Sequence, residues 1–210
     1  MDISSARYSH CHVKLALALA AAFMALVSCS ADPARGNAID KLAIPSAHDL
    51  LPVAYEAARG WRADAHLIFI HLYVHPDLAA TFSFNSPSDP RAGLNVHIRD
   101  PLGRPDLRLA EVSSPGRGEA RFSVDSYASG GIDSTQAFAI ALEAGGRSFL
   151  ETHPEAWGDA WEWNVNLQYV RAPAGELPAW RVYFTDLESE GFEVLIDPHT
   201  GEVLATIEGP

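Results

Sequence analysis

From residue 47 onward, hydrophobic and polar positions alternate with a period that changes from element to element. In "AHDLLPVAYEAARGW" (47–61), Leu50, Leu51, Ala54, Ala57, Ala58 and Trp61 recur at helical spacing. This predicts an amphipathic helix with Pro52 in its first turn. "HLIFIHLYV" (66–74) is dense in apolar and β-branched residues and predicts a strand. "ATFSFN" (80–85) puts Phe82 and Phe84 on one face, and "LNVHIRD" (94–100) alternates through Leu94, Val96 and Ile98. "PDLRLAEV" (105–112) predicts a further strand after the turn "DPLG". A second series begins at "DSTQAFAIALEAGGRSFLETHP" (133–154), a helix that Asp133 or Ser134 can cap and that Gly145–Gly146 weakens or ends in its first part. Strands then follow in "EWNVNLQYV" (162–170), "AWRVYFTD" (179–186), "FEVLID" (192–197) and "GEVLATIEG" (201–209).

The two series correspond in order. "AYEAA" (54–58) matches "ALEAG" (141–145), "LYVHP" (72–76) matches "QYVRAP" (168–173), and "NVHIRDPLG" (95–103) matches "EVLIDPHTG" (193–201). The expected fold is therefore α+β: two tandem modules, 39–128 and 129–210, each a helix packed on a curled antiparallel sheet of three to four strands. A single larger α+β domain is the alternative. "EVSSPGRGEARFSVDSYASGG" (111–131) is the expected join, with "RFSV" adding one more short strand.

Upstream, Arg7 and Lys14 precede "VKLALALAAAFMALV" (13–27), an apolar run with no charge after Lys14. A membrane span needs about 20 apolar residues, so the layout is that of a secretory signal. The run ends in Leu26–Val27–Ser28–Cys29, which resembles a bacterial lipobox. That resemblance implies cleavage after Ser28 and a lipid on Cys29, and Ser30 implies sorting to the outer membrane. Residues 1–28 are then a signal peptide, and 29–38 are the lipidated cysteine and its tether. Cys11 leaves with the signal, so the processed chain has neither a disulfide nor a free thiol nucleophile.

The formal charge of −12 is unevenly placed: residues 151–210 carry two Lys+Arg against twelve Asp+Glu. This argues against nucleic acid and against direct adhesion to anionic lipid. Solubility explains it, and so does a cationic partner for the C-terminal half.

Residues 177–206 carry a more specific signal. Trp180, Val182, Val194, Asp197, Thr200, Gly201, Glu202 and Val203 match the "W-x-V" strand and the closing "V-D-x-x-T-G-E-V" of the PepSY domain, which this segment resembles. The first module lacks the T-G turn. The resemblance implies a PepSY/cystatin-like fold and a regulatory role, since such modules accompany secreted peptidases and restrain them.

Candidate chemistry is sparse. Asp197, Thr200 and Gly201 in "VLIDPHTGEVL" have the residue types of a tight turn, and no nucleophile stands nearby to make Asp197–His199 catalytic. His71 and His75 would lie about 13 Å apart on a strand, and with His66 and His97 they offer no third ligand, so no metal is expected. Asp186, Glu188 and Glu190 form an acidic loop that is solvated or weakly binds a cation. Trp157, Trp161 and Trp163 in "HPEAWGDAWEW" are either core or an aromatic anchor on an acidic surface. Neither a G-x-S-x-G elbow nor a phosphate loop occurs. The expectation is a non-enzymatic, cofactor-free envelope lipoprotein. It would bind a protein or peptide and restrain a secreted peptidase; alternatively it would serve assembly, docking a basic envelope partner through its acidic C-terminal module. The membrane is met through the N-terminal lipid only.

Overall fold

The computed structural model describes residues 38–113, 123–172, 175–185 and 191–209. Helix α1 (Ala47–Trp61) is followed by strands β1 (His66–His75), β2 (Ala79–Ser86), β3 (Asp89–Arg99) and β4 (Asp106–Ser113). Helices α2 (Asp125–Gly130), α3 (Ser134–Ala141) and α4 (Arg147–Thr152) precede β5 (Glu162–Ala172), β6 (Gly175–Thr185), β7 (Gly191–Ile196) and β8 (Val203–Gly209).

The strands form one open antiparallel sheet of eight, ordered β4-β3-β2-β1-β5-β6-β7-β8. Each run of four is a meander, and the two meanders join where β1 pairs with β5, placing His71 opposite Asn166 and Leu72 opposite Val165. The two separate small sheets expected from the sequence are thus merged. The first strand of each run would otherwise end as an unpaired edge, and pairing the two edges satisfies their backbone groups. Alternation along a strand does not encode which edge it will meet.

One face of the sheet carries the helices. Its alternating positions, such as Leu72, Phe82, Val96, Val165, Val182 and Val194, are fully buried and belong to a single contiguous core. From α1, Leu50, Leu51, Ala54 and Ala58 enter that core, and from α3, Ala137, Phe138 and Ala141. The two helices meet at their N-terminal ends. The Ala47 amide donates to Ser134 Oγ at 2.8 Å, and the His48 amide donates to Asp133 Oδ1 at 3.0 Å.

The long helix expected over 133–154 is broken in two. A π-helical turn (Leu142–Gly146) separates α3 from α4, and Gly145 adopts φ 127°. A Cβ on Gly145 would lie 2.9 Å from the Phe192 ring, so the glycine lets β7 pack close beneath the kink. A 3₁₀ turn (Pro154–Trp157) completes the segment. The join also differs from expectation. Ser123 and Val124 lead into α2 instead of forming a strand, and α2 straddles the expected boundary at 128/129. Arg121 and Phe122 of "RFSV" lie outside the described residues. No helix among the described residues is long and apolar enough to cross a membrane.

Candidate functional site

The segment Asp197–Gly201 is the turn between β7 and β8. Asp197 Oδ1 accepts from the amides of His199 at 2.9 Å and Thr200 at 2.8 Å. The Thr200 amide, with that of His199, holds the Asp197 carboxyl below the usual carboxylate range. Gly201 sits at φ 75°, a left-handed value that its missing Cβ permits. The turn is docked rather than free: the Ile132 amide donates to Pro198 O at 2.8 Å, and His199 lies 4.7 Å from the Tyr127 ring. The Asp197 carboxylate therefore serves its own backbone and is not aimed at His199 as a general base would be.

The tryptophans close one end of the core. Trp161 and Trp163 are 4% and 0% exposed, so neither is available as the surface anchor considered from the sequence. Trp163 Nε1 donates to Ala156 O at 2.9 Å, and Trp157 meets the Trp163 ring edge-on at 4.8 Å. Trp157 is half-buried, with Nε1 donating to Leu150 O. The tryptophans of "WGDAWEW" fill the space between α4, the 3₁₀ turn and β5, while Asp159 stays exposed in the turn. Asp186, Glu188, Glu190 and Cys29 lie outside the described residues.

The histidines are spread over the sheet's other, open face and its rim. Thr81 stands between His71 and His97 in register, and Thr81 Oγ1 lies 2.9 Å from His97 Nδ1. His75 Nε2 lies 3.3 Å from Gly158 O. Among the described residues no three His, Cys, Asp or Glu side chains gather as metal ligands would.

A polar row across the β1–β5–β6 seam was not foreseen beyond His71. The His71 imidazole N–H donates to Asn164 Oδ1 at 2.9 Å, and the ring stacks on Tyr73 at 3.9 Å. Burial holds His71 below its ordinary pKa, opposed by the Asn164 hydrogen bond and by Glu162. Two strands over, Arg181 donates to Glu193 Oε2 at 2.6 Å, and its guanidinium lies 4.9 Å from the Tyr183 ring centre. Asn164 and Asn166 between these stacks are 0% and 3% exposed. The residues have hydrogen-bonding chemistry, but they are half-buried or buried, and His71 with Asn164 and Arg181 with Glu193 are turned toward one another.

The edges of the sheet are different. The eight exposed large apolar side chains among the described residues are Val53, Leu102, Leu107, Leu109 and Val112 around β4, and Val203, Leu204 and Ile207 on β8. At the β4 edge a groove of about 750 Å³ runs between that strand and α1, with Val53, Ala57, Leu107 and Leu109 on its walls and Glu56 and Glu111 beside them. Strand β4 has a paired neighbour only in β3, so its outer backbone groups face away from the sheet. In the sequence, "DLRLAEV" has the same alternation as the covered strands, and only the topology shows that nothing in the described chain covers it.

These features define an α+β protein with an open eight-stranded antiparallel sheet, helices on one face and two apolar edges. No family model matches the chain, and no curated protein matches it. Among solved structures, the crystal structure of what is described as "a putative lipoprotein" from Clostridium difficile 630 is similar, at 11% identity and a TM-score of 0.45. The match covers 74% of this chain and 90% of that one. That degree of likeness assigns neither a family nor a function.

Proposed function

We propose that the chain is a lipid-anchored protein of the bacterial cell envelope that binds a protein or peptide without catalysis, through the edges of its sheet. One observation carries this reading: of the eight exposed large apolar side chains among the described residues, six lie on β4 or β8, and the other two, Val53 of α1 and Leu102 of the preceding turn, lie beside β4. Contiguous exposed apolar surface marks interaction sites, and an open strand receives an extended segment by backbone pairing. The anchor rests on the Leu26–Val27–Ser28–Cys29 motif, and outer-membrane sorting on Ser30. Restraint of a secreted peptidase, in trans, rests on the likeness of residues 177–206 to PepSY modules.

The test is in-cell photo-cross-linking from positions 109 and 207, with position 83 on the open face as control. Adducts from an edge position and none from position 83 support the reading. Adducts from the open face alone would end it. A captured peptidase whose activity falls on adding the lipoprotein would support restraint, and unchanged activity would remove that part.

A second reading, an assembly role with the acidic C-terminal module docking a basic envelope partner, is favoured by the two Lys+Arg against twelve Asp+Glu in residues 151–210. Cross-linking from position 207 alone, to a partner released by moderate salt, selects it.

A further inference from the structure

We infer that the groove between α1 and β4 receives the apolar side chains of a basic, extended segment laid against β4 as a ninth strand. The inference rests on the edge-binding reading above and names the chemistry of its partner.

Leu107 and Leu109 project from β4 on the side where α1 lies, and they are 38% and 56% exposed. Side chains on one face of a strand recur every second residue, about 6.6 Å apart, and a neighbouring strand lies about 4.8 Å away. An added strand therefore places its alternate side chains in line with Leu107 and Leu109, on the side of the sheet where α1 lies. Val53, 41% exposed on that helix, supplies the opposite wall.

Gly60 marks where a side chain can enter. It lies in the last turn of α1 and lines the groove. Its φ is not positive, and a Cβ built there meets no atom within 4 Å. Neither backbone geometry nor internal packing calls for glycine. Alanine would favour the helix by about 1 kcal/mol. What glycine leaves is open space on the wall of the groove.

Charge selects the partner. Glu56 and Glu111 line the groove and are exposed, whereas among the described residues no Lys or Arg lines it. Arg108 of β4 is paired with Asp106 at 3.3 Å. A second copy of this chain would set its own Glu56 and Glu111 against the same edge, so an alternating apolar–basic segment fits better.

The test uses the full chain in neutral detergent micelles and a dye-labelled octapeptide of alternating Leu and Lys, with a Leu–Glu peptide as comparison. The Leu–Lys peptide is expected to bind, and the Leu–Glu peptide to bind far more weakly. Gly60→Leu should weaken binding about tenfold or more, as expected when a leucine-sized side chain loses its place. Gly60→Ala should leave binding in place, which separates a blocked groove from a damaged helix. The double variant Glu56→Gln, Glu111→Gln should weaken binding and flatten its salt dependence. Equal binding of both peptides, or Leu–Lys binding unchanged in a folded Gly60→Leu variant, overturns the inference. Self-association abolished by Gly60→Leu would overturn it in favour of a second copy. If the Leu–Lys peptide fails to bind while position 109 still cross-links to a protein, the groove chemistry is wrong and the edge reading stands. If both fail, both fall.

Discussion

Replacing Asp133 should unfasten the two halves of the helix layer. Its carboxylate is 8% exposed at residue level and stands at the start of α3. One oxygen accepts the His48 amide at 3.0 Å, and the other accepts the Thr135 hydroxyl at 3.0 Å. Gln136 reaches back to accept the Asp133 amide at 2.9 Å, completing a capping box. One side chain thus caps α3 and satisfies an amide in the first turn of α1, 85 residues away in sequence. Asp133→Ala loses an N-cap, about 1 kcal/mol. It also strands the partly buried His48 amide, about 1–3 kcal/mol. The expected loss is about 2–4 kcal/mol, or about 1–2 M in the urea midpoint for a slope of about 2 kcal/mol per molar. Asp133→Asn keeps one acceptor oxygen and an equally good N-cap, and should lose about 1 kcal/mol for the one hydrogen bond it forfeits.

Tryptophan fluorescence in urea reads this directly, because Trp163 and Trp180 are fully buried. The pH dependence gives a second reading. Burial alone would raise the Asp133 carboxyl, but the His48 amide, the Ser46 and Thr135 hydroxyls and the Ser134 amide outweigh it and hold the group below its usual value. The unfolded chain then binds the proton more readily, so stability rises with pH across this range. The contribution is present above the ordinary aspartate pKa of about 3.9 and is lost as pH falls through the lower folded value. Asp133→Asn should lack that component. An Asp133→Ala variant within about 0.5 kcal/mol of the parent, the range of an ordinary surface change, would refute the reasoning.

Two further outcomes follow from single positions. His71 is held below its ordinary pKa by burial, so protonation favours the unfolded chain, and stability should fall as pH drops below about 6.5; His71→Gln should flatten the urea midpoint between pH 7 and 5, and an unchanged slope would count against the assignment. Gly201 sits at φ 75° with Ile140 Cδ1 3.1 Å from where a Cβ would stand, so Gly201→Ala should cost about 1–2 kcal/mol, and a neutral midpoint would show the turn is not held as described.

Local order was largely legible in the chain; long-range order was not. Alternation placed the strands, because inward residues such as Val96, Val182 and Val194 must all be buried on one side of a pleated sheet. Helical spacing placed α1 for the same reason. The break at Gly145–Gly146 was visible as a glycine pair, whereas the Phe192 ring that requires the close approach lies 47 residues downstream. The pairing of β1 with β5 had no local mark at all. Both strands read as strands, and nothing in either sequence says that the other will be its neighbour. The tryptophan cluster had two readings, core or surface anchor, because acids stand among Trp157, Trp161 and Trp163; Glu155 and Asp159 are exposed in turns while Trp161 and Trp163 are buried.

The same topology explains why residues rich in chemistry are poor candidates for function here. Where two meanders join, the seam must have a definite register, since a slip of one residue would exchange the covered and open faces. On the covered face the seam is apolar and would tolerate several pairings of similar size, such as Leu72 with Val165 or Ile70 with Leu167. On the open face it is not: His71 bonds Asn164, and Asn164 donates onward to Glu162 at 3.3 Å. A slipped β5 would leave these buried polar atoms without partners, at about 1–3 kcal/mol each. The histidine and asparagines that look like site residues are therefore the ones that set how the halves join. Once they have done so, β4 and β8 are the outermost strands, and six of the eight exposed large apolar side chains among the described residues lie on them.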